Sequence, residues 1–210
     1  MPGVIEASVE NYIYSLIPAR DPVQREQERY ALKHKVPIIG PACGRLLYQL
    51  ARTIKTRRVF EMGSAIGYST LWLARAVGPK GRVFYTDSDP ANAARAEDYL
   101  RRASMLERVR VLIGDAVQLL DSTAGEFDLI FNDVDKEYYP EVLGLVAARL
   151  RPGGLFITDN VLWSGRVTEA EPKEESTRAI QEFNSRLAAL PEFFTTIVPL
   201  RDGLSISLKI

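Results

Sequence analysis

Residues 59–70 read VFEMGSAIGYST, and this stretch carries most of the information about the fold. A short β-rich apolar segment runs into a turn of small residues and then into a helical pattern. Such a strand-turn-helix begins a βαβ unit, in which ligands bind beyond the carboxyl ends of the strands and small residues let the backbone approach them. The stretch alone also fits an ordinary tight turn from a strand to a helix.

An acidic residue at the end of the next apolar segment favours the binding interpretation. Asp87 stands about 20 residues after Gly67, the spacing at which a carboxylate accepts hydrogen bonds from a ribose diol. Capping of the following helix is the alternative role, although Ser88 or Asp89 could fill it equally well. We therefore expect a nucleoside-containing ligand at this turn.

The alternation of β-rich and helical segments predicts an α/β fold. The predicted strands are Val59–Met62, Val83–Thr86, Val109–Ile113, Phe127–Asn132, Leu155–Thr158, Phe193–Val198 and Leu204–Lys209. The predicted helices are Ser8–Ile17, Pro22–His34, Pro41–Ile54, Ser69–Val77, Pro90–Ala103, Tyr139–Leu150 and Ser176–Leu190, with an exposed polar loop over Thr168–Thr177. We expect a mostly parallel seven-stranded sheet that ends in an antiparallel hairpin. Residues 1–210 are predicted to form one domain, with a helical N-terminal cap over 1–55 and the core over 56–210.

Charge and composition narrow the class of protein. Lys+Arg and Asp+Glu both number 27, so the formal net charge is zero and no long basic run supports a nucleic-acid partner. Cys43 is the only cysteine, and a buried apolar role suits it better than catalysis. No apolar run approaches the roughly 18 residues of a membrane helix. We expect a soluble, cytoplasmic protein without a membrane partner.

Two further β-rich segments end in oxygen-bearing side chains. Residues 127–136 read FDLIFNDVDK and residues 155–163 read LFITDNVLW, so that Asp133, Asp159 and Asn160 follow the two strands. If these strands are neighbours in a parallel sheet, the three side chains converge at the edge where the glycine turn lies. Carboxylate and amide oxygens without His or Cys suit a hard cation such as Mg²⁺, Mn²⁺ or Ca²⁺. The alternative is that Asp and Asn simply terminate the strands.

The pattern around the first turn distinguishes between nucleotide cofactors. A dinucleotide dehydrogenase would carry glycine where this chain has Ala65 and Tyr68, which weakens an NAD-binding interpretation. Glu61 followed by G-x-small-x-G instead resembles the first motif of S-adenosylmethionine methyltransferases. Residues 113–116, IGDA, resemble the stretch that borders the adenine in those enzymes, although Asp115 also fits a helix cap.

Over nearly its whole length the sequence is similar to the cation-dependent O-methyltransferases, the caffeoyl-CoA and catechol O-methyltransferase group, and most closely to their small bacterial members. The similarity is carried by residues 37–41 (PIIGP), 61–70, 114–116 (GDA), 133–136 (DVDK), 159–163 (DNVLW) and 202–203 (DG). It implies a Rossmann-like class I methyltransferase fold with extra N-terminal helices, and a homodimer. Ala65 departs from the glycine that many methyltransferases carry at this place.

The resemblance implies roles for individual residues. The cofactor-binding residues by this criterion are Ile39, Glu61, Gly63, Ser64, Ala65, Gly67, Ser69, Asp87, Asp115, Ala116 and Asp135. Asp133, Asp159 and Asn160 match metal ligands. The catalytic residues are Lys136, which matches a general base, and Asp133 beside it; Trp163 and Ser164 fall on the substrate side. For Trp163, packing is an equally good interpretation.

A general base at Lys136 requires a lowered pKa, because the pKa of lysine in water is about 10.4. A neighbouring cation and desolvation would lower the pKa of Lys136, whereas Asp133 and Asp135 would raise it. An exposed lysine after an acidic strand end is the alternative.

The resulting hypothesis is methyl transfer from S-adenosylmethionine to a hydroxyl of a catechol-like or other vicinal-diol small molecule, aided by a divalent cation, with Mg²⁺ favoured. The alternatives are an O-methyltransferase acting on a hydroxylated tRNA base, an NAD-dependent dehydrogenase and a cofactor-binding protein without catalysis.

Overall fold

A seven-stranded sheet runs through the centre of the computed structural model, which describes residues 4–210. The strands are β1 (Arg58–Met62), β2 (Arg82–Asp87), β3 (Val109–Ile113), β4 (Phe127–Asn132), β5 (Leu150–Thr158), β6 (Phe193–Val198) and β7 (Leu204–Lys209). Their order is β3-β2-β1-β4-β5-β7-β6. Strands β1 to β5 pair in parallel, whereas β7 is antiparallel to β5 and β6. The predicted sheet and its hairpin are confirmed, and the order reverses between β1 and β4, where such sheets bind ligands.

Eight α-helices pack around the sheet in the described part of the chain. They are α1 (Ala7–Ser15), α2 (Pro22–His34), α3 (Gly40–Thr53), α4 (Tyr68–Ala76), α5 (Pro90–Arg102), α6 (Ala116–Ser122), α7 (Tyr139–Arg149) and α8 (Glu175–Ala189). Short 3₁₀ turns occupy Leu106–Arg108, Lys136–Tyr138 and Trp163–Thr168. The extra N-terminal helices α1 to α3 were predicted. Residues 1–3, where the predicted domain begins, lie outside the described residues, and the single domain stays a prediction.

The two faces of the sheet carry separate apolar layers because side chains alternate along each strand. On one face, Leu129 and Ile157 pack with Cys43 and Leu47 of α3 and with residues of α4 and α5. On the other, strand residues such as Ile130 and Phe156 pack with helices α6, α7 and α8. Cys43 is fully buried, as its apolar interpretation requires. This packing fixes the carboxyl ends of the strands.

The N-terminal helices are attached to the glycine turn by polar contacts. Gln27 in α2 is fully buried, and its Nε2 donates to the carbonyl oxygen of Ile66 at 3.2 Å. The Tyr68 hydroxyl donates to Glu28 at 2.7 Å, and Arg20 pairs with the same carboxylate. The helical N-terminal segment therefore rests on the loop that follows β1. Within residues 4–210, every helix is too short or too polar to span a lipid bilayer.

One helix was not predicted, and two predicted segments differ clearly in their bounds from the structure. Helix α6 was not predicted, because seven residues are too few to show helical periodicity. Strand β5 begins at Leu150, five residues before its predicted start, and it pairs irregularly with β4 there. The predicted exposed loop over Thr168–Thr177 is too long at both ends. A 3₁₀ turn reaches Thr168, and α8 has already begun where Thr177 is fully buried.

Candidate functional site

A cavity of about 700 Å³ opens at the carboxyl ends of the parallel strands. The predicted site residues that line it are Ile39, Gly63, Ser64, Ala65, Ser69, Asp87, Asp115, Ala116, Asp133, Asp135, Lys136, Asp159, Asn160 and Trp163. Three predicted residues, Glu61, Gly67 and Ser164, do not line it. Most of the predicted site is thus brought together at one edge of the sheet.

The glycine turn lies against the end of β4. Gly63 has φ +79°, and a Cβ built there would lie 2.5 Å from the carbonyl oxygen of Asp133. Ala65 adopts φ 43° although it is not glycine, and two hydrogen bonds hold it in place. Its N–H donates to Asp87 Oδ2 at 2.9 Å, and its carbonyl oxygen accepts from the Tyr85 hydroxyl at 2.6 Å. These bonds explain how the turn accommodates alanine.

Glu61 lies beneath this turn and supports it. Its side chain is fully buried, and Oε2 accepts from the Thr70 hydroxyl at 2.5 Å. Burial raises the pKa of Glu61 to about 7, against the lowering effect of the Ser69, Thr70 and Ser64 hydroxyls. Gly67 is likewise structural, since a Cβ there would lie 2.8 Å from Ala96 Cβ. Direct cofactor contacts of Glu61 and Gly67 stay predictions that this geometry does not support.

Asp87 is oriented by three N–H groups. Oδ2 accepts from Ala65, while Oδ1 accepts from the backbone of Asp89 at 2.8 Å and from Asn92 Nδ2 at 3.2 Å. The capping role that was the alternative for Asp87 belongs to Asp89, whose side chain accepts from the N–H of Ala91 in α5. A carboxylate has about four lone-pair sites. Asp87 therefore keeps acceptor capacity toward the cavity in a fixed orientation.

Asp115 combines the two roles that the sequence left open. Its Oδ1 accepts from the N–H of Gln118 at 2.8 Å and caps α6. The same residue lines the cavity together with Ala116. The N–H of Gly114 donates to the carbonyl oxygen of Asp87 at 3.0 Å, which ties this loop to the second strand. The cavity wall on this side is therefore built by neighbouring strand ends.

The predicted metal ligands meet at the ends of β4 and β5. The N–H of Asp133 donates to Met62 O at 2.8 Å, and that of Asp159 to Asn132 O at 3.1 Å. Asp159 is 4% exposed. Burial and the nearby Asp133 carboxylate raise the pKa of Asp159 to about 7 although Arg201 and Lys136 oppose this. Two carboxylates that repel each other in this way fit a site for a positive charge.

Asn160 is positioned to offer its oxygen. Its backbone is left-handed, with φ 58°, and its Nδ2 points to the Asp202 carboxylate at 3.4 Å. The amide oxygen is therefore the atom that remains for a cation. Among residues 4–210, no group of three or more His, Cys, Asp and Glu side chains could hold a metal ion. The predicted metal site contains only two such side chains, Asp133 and Asp159, and its third ligand is the amide oxygen of Asn160.

Lys136 uses all three of its ammonium N–H bonds within the site. Nζ donates to Asp133 Oδ1 at 2.9 Å, to the Tyr139 hydroxyl at 2.8 Å and to the carbonyl oxygen of Val134 at 3.2 Å. Burial would lower the pKa of Lys136, but Asp133 and Tyr139 outweigh it and raise the pKa. The lowered pKa expected of a general base is therefore absent while Asp133 faces the lysine.

Of the two residues predicted on the substrate side, Trp163 lines the cavity and Ser164 does not. Trp163 lines the cavity, and the Arg166 guanidinium lies 4.5 Å above its ring. Ser164 has left-handed backbone angles, its N–H donates to the Asp202 carboxylate, and its side chain is exposed. Ser164 does not line the cavity, and its substrate-side position stays a prediction.

Sequence reasoning missed several residues on the cavity wall, among them Tyr68, Asn92, Tyr138, Ser176, Arg201 and Asp202. From the sequence, Arg201 and Asp202 are expected only in the turn of the hairpin, and Asp202 also as part of the family resemblance. The predicted strand directions could have indicated both residues. Because β7 runs antiparallel to β5, with Ser205 beside Thr158, the turn before β7 returns to the edge where β5 ends. Asp202 is 3% exposed, a rare state for a turn carboxylate.

The sequence and the fold are similar to those of known O-methyltransferases. The sequence model described as O-methyltransferase matches residues 21–210. Catechol O-methyltransferase of Niastella koreensis is 31% identical over 99% of both chains. The crystal structure of the O-methyltransferase TomG from Streptomyces achromogenes, in complex with SAM, has a TM-score of 0.87 at 28% identity and covers 96% of both chains. The O-methyltransferase of Bacillus cereus, in complex with SAH, has a TM-score of 0.87 at 27% identity over 97% of both chains.

The chain belongs to the O-methyltransferase family. The predicted resemblance to the catechol and caffeoyl-CoA group is confirmed, since Eucalyptus caffeoyl-CoA O-methyltransferase is also similar, with 27% identity over 93% of this chain. The predicted Rossmann-like methyltransferase fold and enzyme class, an S-adenosylmethionine-dependent O-methyltransferase, are confirmed as well.

Proposed function

We propose that this enzyme transfers a methyl group from S-adenosylmethionine to one hydroxyl of a catechol-like or other vicinal-diol small molecule, with the aid of a divalent cation. The observation that carries the proposal is the single cavity shared by the glycine turn with Asp87 and by the cluster of Asp133, Asp159 and Asn160. In the reaction, a C–O bond forms while the C–S bond of the donor breaks, and the hydroxyl loses its proton. Holding the oxygen in line with the methyl group is the main task of the site.

The cofactor belongs at the end of the cavity formed by β1, β2 and β3. There Gly63, Ser64 and Ala65 leave the backbone accessible, and the oriented Asp87 carboxylate suits a ribose diol. The SAM and SAH named for the two solved relatives support the identity of the cofactor. Of the charged side chains on the cavity wall, eight are acidic and two are basic, which suits a cofactor that carries a sulfonium and an ammonium group.

The cation belongs at the other end, and the residues present fit it. Asp133 and Asp159 supply two carboxylates and Asn160 an amide oxygen, a set that suits Mg²⁺ and also Mn²⁺ or Ca²⁺. When bound, such an ion would orient two adjacent hydroxyls and lower the pKa of one. The mutual repulsion of Asp133 and Asp159 supports this assignment.

We propose Lys136 as the general base because it is the basic group nearest to this cluster. The 2.9 Å contact between Lys136 Nζ and Asp133 Oδ1 supports a position of the lysine beside the proposed cation site. The same contact favours the ammonium form of Lys136. Tyr139 fixes the lysine, since its buried hydroxyl accepts from Nζ and donates to the carbonyl oxygen of Asp159 at 2.9 Å. The protein therefore holds Lys136 rigidly beside Asp133, and a cation bound there would offset the Asp133 charge, so that the neutral amine could accept the hydroxyl proton.

The alternative acceptor, a hydroxylated tRNA base, gains no support from the charge of the cavity. One basic cluster, formed by Arg58, Arg82, Arg110 and Arg149, lies near the amino ends of the strands. The cavity lies at the opposite edge and is predominantly acidic, which opposes a polyanionic acceptor. A small molecule is the better candidate.

An acceptor assay with radiolabelled methyl donor tests the proposal. Catechol and 3,4-dihydroxycinnamic acid should be methylated in the presence of Mg²⁺, and monohydroxylated analogues should not. Excess chelator should abolish turnover, and Mg²⁺ or Mn²⁺ should restore it. Full activity in excess chelator would contradict the role of the cation and leave a metal-free methyltransferase.

The homodimer implied by the family resemblance is also proposed. Strand β6 is an edge of the sheet, and its Phe194, 69% exposed, pairs with the exposed Leu208 of β7. Such an apolar patch on an edge strand needs cover. Light scattering of the purified chain tests this, and a monomeric mass at micromolar concentration would contradict it. The cytoplasmic location stays a prediction of the sequence.

A further inference from the structure

Arg201 occupies a fixed position on the cavity wall. Its Nη1 donates to the carbonyl oxygen of Ile38 at 2.6 Å, and its own carbonyl oxygen accepts from the N–H of Val4 at 2.8 Å. Gly40 makes room for the guanidinium, because a Cβ there would lie 3.3 Å from Nη1 and 3.0 Å from the Tyr14 hydroxyl. The side chain is therefore held between the N-terminal helices and the hairpin turn.

The two basic side chains of the cavity differ in how their donors are used. Lys136 commits all three N–H bonds to protein acceptors. Arg201 makes one side-chain hydrogen bond and no ion pair within 4.0 Å in the part of the chain that the structure describes. A guanidinium has five N–H donors. Most donors of Arg201 thus have no partner among residues 4–210.

Arg201 partly offsets the charge of Asp159, but this does not use its N–H donors, because the two side chains form no ion pair within 4.0 Å. Asp202, the next residue, directs its carboxylate to the N–H of Ser164 and to Asn160 instead. The guanidinium remains available to the cavity, close to the cluster where the acceptor hydroxyls are proposed to bind.

We infer that Arg201 selects acceptors that carry a carboxylate in addition to the pair of hydroxyls, so that hydroxylated aromatic acids are the substrate class. The inference rests on the proposed function. The planar guanidinium fork matches a carboxylate through two parallel N–H···O bonds, which an ammonium cannot reproduce. The acid end of the acceptor binds Arg201 while its hydroxyl end lies at Asp133 and Asp159. In a predominantly acidic cavity, an anionic acceptor needs such a local partner.

The test compares 3,4-dihydroxycinnamic acid with its amide, which keeps the diol and removes the charge. For wild type, kcat/KM should favour the acid by about tenfold or more, mainly through KM. Arg201→Met should bring the ratio of the two kcat/KM values close to one, and Arg201→Lys should restore part of it. Arg166→Met is the matched control, because Arg166 stacks on Trp163 but does not line the cavity, and it should keep the wild-type ratio.

Binding of both compounds to the complex with S-adenosylhomocysteine and Mg²⁺, measured by calorimetry, separates the two levels of inference. Methylation of both compounds at equal kcat/KM by wild type, or an unchanged ratio in Arg201→Met, would overturn the role of Arg201 alone. Binding of the acid that depends on Arg201, without methylation of either compound, would overturn the proposed function and leave the anion site intact.

Discussion

The two ends of the cavity differ in how completely their polar groups are satisfied by the protein. At the cofactor end, Asp87 accepts three hydrogen bonds and Ala65 is held on both sides. At the acceptor end, Asp133 and Asp159 repel each other and Arg201 keeps most of its donors unused. The cofactor end is therefore organised before any ligand binds. The acceptor end lacks the positive charge that a cation would bring and the hydrogen-bond acceptors that a substrate would bring.

This difference predicts that variants at the two ends fail in different ways. A change at the acceptor end should affect turnover and leave the binding of S-adenosylmethionine nearly intact. A change at the cofactor end should weaken that binding directly. Measuring both quantities for each variant shows whether the cavity is divided in this manner.

The largest effect is expected for Asp159→Ala. The substitution removes one of the two carboxylates proposed to hold the cation, so turnover should fall to background, while cofactor affinity measured by calorimetry should change by less than about threefold. Glu137→Gln is the control, since Glu137 is an exposed acid on the same cavity outside the proposed ligand set. Loss of cofactor affinity in step with turnover in Asp159→Ala would show that the two ends are not separate.

A smaller but still large loss is expected for Lys136. General-base contributions are typically about 10²–10⁴-fold, so kcat of Lys136→Ala should fall within that range at saturating cation and cofactor. Lys136→Arg should not rescue, because the guanidinium keeps its proton at accessible pH. Single-turnover rates with a diol acceptor provide the measurement. A near-wild-type rate in either variant would remove Lys136 from the chemistry and leave it as a partner of Asp133.

At the cofactor end, Asp87→Ala should weaken binding of S-adenosylmethionine by roughly 1.5–3 kcal/mol, because it removes a charged acceptor for the ribose. The neighbouring variant Asp89→Ala is the control. It loses the cap of α5, which costs about 1 kcal/mol of folding stability, and should leave cofactor affinity unchanged. Equal losses of affinity in the two variants would mean that Asp87 acts only through the structure of the loop.

The two ends also differ in how far the sequence predicts them. The cofactor end is encoded locally, since the turn of 59–70 and Asp87 follow directly from strand ends and spacing. The cluster of Asp133, Asp159 and Asn160 required only the assumption that β4 and β5 are neighbours, which the structure confirms. Arg201 and Asp202 were missed because their position depends on the antiparallel return of β7.

The predicted residues that do not line the cavity have local physical reasons for lying outside it. Glu61 belongs to the strand beneath the turn, and its side chain is buried there, so proximity in sequence did not mean contact with the cavity. Ser164 lies outside the cavity wall because left-handed backbone at Trp163, Ser164 and Gly165 turns the chain there. The pKa of Lys136 is raised mainly by Asp133, as the sequence indicates, and further by the buried Tyr139, whose contact is made through the tertiary structure.

The smallest effect concerns the cost of organising the cofactor end. Glu61 has a folded-state pKa of about 7, above the usual value near 4.5, because the side chain is fully buried. A raised carboxyl pKa contributes stability that is complete below pH ~4.3 and is lost as the pH rises toward the folded pKa, since the unfolded chain releases its proton first. Ionisation of Glu61 therefore destabilises the fold between these values.

Glu61→Gln removes this ionisation while its amide oxygen can still accept from Thr70. The free energy of unfolding in urea should be measured for both proteins at pH 4.5, 6 and 8. As the pH rises, the glutamine variant should become more stable relative to wild type, by on the order of 1–3 kcal/mol in total. Asp159 titrates in the same range but is present in both proteins, so its contribution cancels in the difference. The exposed Glu137→Gln should show no such drift. A pH-independent difference for Glu61→Gln would mean that the Ser64, Ser69 and Thr70 hydroxyls compensate fully for burial, and that the cofactor end is organised without an electrostatic cost.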